Sequence, residues 1–142
     1  MQTFRKEERL CSKILIKKVF NQGTAVSILP LRTLWMPAAF EAKVPLQIVI
    51  SVSKKKFKRA VDRNRIKRHI REAYRLNKAP LWDCLRARKM QCIVFFIYTQ
   101  GNRLLFKELE SKIILTLQQI KEKVVLIPQV DALPDPSLNN EI

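Results

Sequence analysis

Ser51-Val-Ser-Lys-Lys-Lys-Phe-Lys-Arg-Ala-Val-Asp-Arg-Asn-Arg-Ile-Lys-Arg-His-Ile-Arg-Glu-Ala-Tyr-Arg75 is the stretch on which the reading of this chain turns. It carries 11 Lys or Arg and two acids, Asp62 and Glu72. From about residue 59 to 77 its apolar residues recur at helical spacing: Val61 or Asp62, Ile66, Ile70, Ala73 and Tyr74 fall on one side. Arg63, Lys67, Arg71 and Arg75 follow at steps of four on another. Asp62 lies in the first turn, where a carboxylate complements the helix dipole. Such a helix must bury its apolar stripe in a core, and its cationic faces call for a polyanion.

Immediately before it, Leu46, Ile48, Ile50 and Val52 alternate with Gln47, Val49 and Ser51, which predicts a strand. After it, Pro80 stops the helix, residues 81–90 have room for a short helical turn, and residues 91–99 read as a second strand. The run Cys92-Ile-Val-Phe-Phe-Ile-Tyr98 inside it suggests burial on both faces. Leu109, Ile113, Leu117 and Ile120, spaced 4, 4 and 3, predict a last helix over 106–123. Upstream, residues 10–21 read as a helix with Ser12 as N-cap and Gly23 available for a left-handed C-terminal cap. Residues 24–37 are β-friendly but hold Pro30 and Pro37, as an edge or bulged strand would. The expected class is therefore α+β, one small sheet with helices packed on one face. Residues 1–9 are expected to be a flexible N-terminus, 10–124 a single domain and 125–142 a Pro-rich disordered tail.

Charge narrows the function. Lys and Arg number 28 against 12 acids, a net +16 on 142 residues, which favours nucleic acid or an anionic surface. A membrane-spanning role is disfavoured, since no apolar run approaches the roughly 20 residues a bilayer requires. Cys11, Cys84 and Cys92 show no C-x-x-C pairing and there is one histidine, so a zinc site is not expected. The three thiols read as reduced and buried or half-buried in a cytoplasmic protein.

No catalytic constellation is visible. His69 sits within the basic helix, where a solvent- or phosphate-facing role competes with that of a base. The acids are scattered, and with two glycines there is no Gly-rich phosphate loop. The basic helix could present guanidinium forks to phosphates, with Asn64 reaching a base edge or sugar, or it could be a solvated basic face.

Ser51-Val-Ser-Lys-Lys followed by Arg59-Ala-Val-Asp-Arg-Asn-Arg-Ile-Lys-Arg-His-Ile-Arg-Glu-Ala-Tyr-Arg closely resembles the signature of the protein subunit of bacterial ribonuclease P. Arg9-Leu-Cys-Ser-Lys ahead of Val19-Phe-Asn-Gln-Gly23 is similar to that family's first helix and its exit. The resemblance covers residues 9–123. It implies an α-β-β-β-α-β-α order with a left-handed βαβ crossover. It also implies a role in removing the 5′ leader of precursor tRNA, with the RNA subunit carrying the chemistry and the protein alone inactive. By the same resemblance Lys54, Lys55, Lys56, Arg59, Arg63, Asn64, Arg65, Lys67, Arg68 and Arg71 face the catalytic RNA. Phe20, flanked by Lys17 and Lys18, matches the aromatic of a cleft that holds the single-stranded leader. An aromatic platform beside lysines suits sequence-tolerant single-strand binding. The spacing of Phe20 is equally that of a core residue.

Three departures stand out: Ile16 where many relatives carry a second aromatic, Lys58 where many have glycine, and Val49-Ile50 in place of a common Gly-Leu. The expected cofactor is magnesium, bound mainly by the RNA, and the expected location is the cytoplasm. The alternative function is a ribosome- or RNA-associated binding protein without a catalytic role.

Overall fold

A computed structural model describes residue 4 and residues 6–127. In chain order it forms a 3-10 turn at Lys6–Glu8, α1 (Lys13–Gln22), β1 (Thr24–Ile28), β2 (Leu31–Pro37), β3 (Leu46–Val52), α2 (Ala60–Asn77), α3 (Ala79–Ala87), β4 (Cys92–Tyr98) and α4 (Phe106–Leu126). The four strands make one sheet in the order β1-β2-β4-β3. β1–β2 and β2–β4 are antiparallel, while β3 and β4 run parallel, joined by α2 and α3. The α+β class and the expected element order hold, with α3 as an additional full helix.

The alternation along β4 explains the layering. Cys92, Val94, Phe96 and Tyr98 pack with Leu46, Ile48, Trp35 and the inner faces of α2, α3 and α4. The opposite set, Ile93, Phe95 and Ile97, gathers with Leu10, Leu34 and the α1 residues Leu15, Ile16 and Val19. Helices thus lie on both faces of the sheet, which corrects the expectation of one covered face. The cause is β4 itself: a strand apolar at every position needs a partner on each side. On α2 the stripe is as the spacing requires, with Ile66, Ile70, Ala73 and Tyr74 buried. Val61, by contrast, is exposed.

Several local expectations change. The residues 24–37 are not one strand but a hairpin, turning at the cis Leu29–Pro30 bond. Pro37 falls at the last position of β2. Ser12 caps α1 as expected, its Oγ accepting from the Leu15 N–H at 3.3 Å. Gly23 is not left-handed: its backbone is extended (φ −68°, ψ 153°). It is needed for space, because its N–H closes the helix on the Val19 carbonyl and a Cβ there would lie 2.4 Å from that oxygen. Residues 6–9 are not a free segment. Glu8 is buried, Arg9 bridges to Ile48, and the Leu10 N–H donates to the Ile48 carbonyl at 2.7 Å. At the other end α4 runs through Leu126, so the expected tail boundary moves out, and residues 128–142 lie outside the described part. Cys11 is exposed rather than buried, Cys84 is half-buried, and burial pushes the Cys92 thiol up to about 12.

Candidate nucleic-acid interface

The loop between β3 and α2 is built by its own short-range bonds. The Ser53 hydroxyl accepts from the Lys55 and Lys56 N–H groups at 3.2 and 3.4 Å. The Phe57 N–H returns to the Ser53 carbonyl, and the Phe57 ring meets Tyr98 edge-on at 5.9 Å. Arg63 reaches back from the first turns of α2, its Nη1 donating to the Phe57 and Lys58 carbonyls at 2.7 and 2.9 Å. These bonds hold the loop against the helix, with Lys54, Lys55, Lys56, Lys58 and Arg59 on the surface. Lys56 is tied down at its tip, its Nζ donating to the Thr99 carbonyl.

Along α2 the residues expected at the RNA face separate into two groups. Asn64, Arg65 and Arg68 are exposed and, with Val61 and Arg71, line a shallow groove of about 370 Å3. Lys67 and Arg71 are half-buried and turn toward the β3 edge, where they line a second groove of about 340 Å3 with Phe4, Arg9, Leu10 and Val49. Burial, and then the nearby Arg9 and Arg68 charges, hold the Arg71 guanidinium below its ordinary range. Arg75, the next in the step-of-four row, is engaged by Glu72 one turn back. The exposed row therefore runs Lys54, Lys55, Lys58, Arg59, Arg65, Arg68, while Arg63 mainly shapes the loop.

The other expected site lies on the opposite face of the sheet. Phe20 is 58% exposed, so it is a surface residue and not core, and its ring lies 6.2 Å from that of Phe95 at a 48° tilt. Lys17 and Lys18 are exposed on the same helix. The strand register extends this surface beyond α1: Phe95 pairs with Leu34 and Val49, and Ile97 pairs with Arg32 and Ser51. Paired residues share a face, so Phe20, Phe95, Ile97, Arg32 and Ser51 belong to one aromatic and cationic surface. Sequence reasoning missed Phe95 and Arg32. Phe95 was hidden in a uniformly apolar run, and only the register assigns it to the α1 side.

Among the described residues no three of His, Cys, Asp and Glu come together where they could hold a metal ion, and no helix is long and apolar enough to cross a membrane.

Comparison with known proteins gives one consistent result. The family profile for Ribonuclease P matches residues 4–121. A ribonuclease P protein component of Porphyromonas gingivalis is 35% identical over 136 residues, covering 96% of this chain and 93% of that protein. The fold is similar to the RNase P protein from Thermotoga maritima, with a TM-score of 0.60 at 21% identity over 79% of this chain and 96% of that one. It is also similar to the Staphylococcus aureus RNase P protein, with a TM-score of 0.57 at 19% identity over 84% and 96%.

Proposed function

The chain belongs to the ribonuclease P protein family, and from that premise we propose that it binds the catalytic RNA through the β3–α2 loop and α2, and the 5′ leader of precursor tRNA through the α1 face of the sheet. The observation that carries this reading is the outward row of Lys54, Lys55, Arg59, Arg65 and Arg68 beside Asn64, on a chain whose family match spans residues 4–121. Cations spread over a loop and one helix face suit the phosphates of a folded RNA, and Asn64 can add a base or sugar contact. Phe20 and Phe95, with Lys17, Lys18 and Arg32, suit an unpaired strand whose bases stack and whose phosphates need neutralising.

The mechanism is electrostatic. Two polyanions, the catalytic RNA and the precursor, repel each other, and a protein with a cationic surface on each face of its sheet lowers that repulsion and holds the leader in register. In this reading hydrolysis belongs to the RNA, with magnesium held mainly there. The reading places the protein in the cytoplasm with its RNA.

Reconstitution tests it. Precursor tRNA incubated with purified protein alone should stay intact; with the cognate catalytic RNA it should be cut at the 5′ end, faster at low magnesium when the protein is added. Cleavage by protein alone in nuclease-free controls, or no effect of the protein on the RNA reaction, would overturn the proposal.

A further inference from the structure

We propose that the β4–α4 connection, residues 99–105, is a third wall of the catalytic-RNA interface, with Arg103 contacting an RNA phosphate beside Lys56 and the Arg65–His69 side of α2. The inference rests on the reading of α2 as the RNA-binding helix and extends it to a segment that neither the basic stretch nor its motif contains.

The geometry brings three segments together. Lys56 bonds the Thr99 carbonyl, and a Cβ on Gly101 would sit 3.9 Å from the Lys56 Cβ, so the connection runs alongside the lysine loop. Tyr98 fixes its course: the phenol donates to the Asn102 carbonyl at 2.7 Å and accepts from the Leu104 N–H at 3.3 Å. Arg103 lies between those two anchors and is exposed. At the start of α4 the Phe106 ring meets His69 of α2 edge-on at 5.6 Å, which sets the connection against the helix.

His69 senses the charge gathered there. Burial first, then the positive charges of Arg68, Arg103 and Arg65, hold its imidazole below the ordinary value. Its Nδ1 is buried and has no hydrogen-bond partner among the described residues. Arg103 of the connection and Arg65 and Arg68 of α2 thus act on one imidazole, on the side where Phe106 and His69 meet. Such a concentration of positive charge is self-repelling until an anion enters. Arginine is suited to the task because its planar fork matches a phosphate and stays charged. The partner is the RNA already assigned to α2, since the same cations, Arg65 and Arg68, belong to both regions.

The test is equilibrium binding of the full-length protein to the cognate catalytic RNA over a salt series. Arg103→Ala should lower affinity roughly tenfold and reduce the magnitude of the log–log salt slope by about 0.7–0.9, the signature of one phosphate fewer neutralised. Arg103→Lys should keep the slope, since it keeps the charge. Thermal unfolding of both variants should match the parent, because the residue is exposed. If Arg65→Ala weakens binding while Arg103→Ala leaves affinity and slope unchanged, the third wall is refuted and the α2 reading survives. If both variants bind like the parent, the α2 reading falls as well.

Discussion

Raising monovalent salt from about 50 to 200 mM should weaken binding to the catalytic RNA by about 250- to 1,000-fold. The number follows from the surface. Seven basic side chains of the β3–α2 region stand exposed, and with Lys56 tied to the Thr99 carbonyl six remain: Lys54, Lys55, Lys58, Arg59, Arg65 and Arg68. Arg63 is held by loop carbonyls, Lys56 by Thr99, and Lys67 and Arg71 are half-buried. About six neutralised phosphates give a log–log slope near −4 to −5 through counterion release. Titration with labelled RNA at four or five salt concentrations measures it. A slope near zero would mean that the basic face is merely solvated. If combining Arg65→Ala with Arg68→Ala abolished the slope altogether, the effect would exceed what two phosphates can supply and would point to a disturbed fold.

The second large effect is on stability. Glu8→Ala should cost about 3–5 kcal/mol, the penalty for removing one member of a buried ion pair. Lys78 Nζ lies 2.6 Å from Glu8 Oε1, and the two side chains are 7% and 1% exposed. The ammonium also sits 4.2 Å from the Trp82 ring centroid, and the Trp82 N–H donates to the Tyr74 hydroxyl at 2.8 Å. This cluster ties the N-terminal turn to the α2–α3 junction, a separation of 70 residues in sequence. Chemical denaturation of Glu8→Ala gives the cost directly. Replacing the pair together, Glu8→Leu with Lys78→Met, should recover most of the loss, since the charge left behind carries the penalty and not the missing attraction. A Glu8→Ala variant as stable as the parent would show that residues 6–9 are not part of the folded unit.

This ion pair also shows where sequence reasoning stops. Periodicity is a local signal, and it located what is local: β3 from its strict alternation, α2 from Ile66, Ile70, Ala73 and Tyr74, and the start of α1 from Ser12. The basic row needed only charge and helical spacing. Glu8 beside Lys78 leaves no local trace, so residues 1–9 read as a free end. The same limit hid the α1-side surface. A run such as Cys92–Tyr98 does not say which of its residues meets a helix and which stays open, and only pairing with β2 and β3 sorts Phe95 and Ile97 from Val94 and Phe96. Gly23 is a third instance: its place after a helix suggested a left-handed cap, whereas what excludes a side chain is the proximity of Val19. Arg63 illustrates the reverse, a motif residue whose fork the fold uses to hold its own loop.

Two RNA surfaces on opposite faces of one sheet should fail independently, and a crossed binding experiment separates them. Phe20→Ala and Arg65→Ala are each assembled with catalytic RNA and titrated with precursor tRNA carrying a leader of several nucleotides, or with none. Assembly with the catalytic RNA is measured separately. Phe20→Ala should weaken only the leadered substrate, by the roughly 1–3 kcal/mol that one stacked base contributes, and should leave assembly unchanged. Arg65→Ala should weaken assembly whatever the leader length. Equal losses on leadered and leaderless substrates for Phe20→Ala, or unimpaired assembly for Arg65→Ala, would contradict the two-surface account.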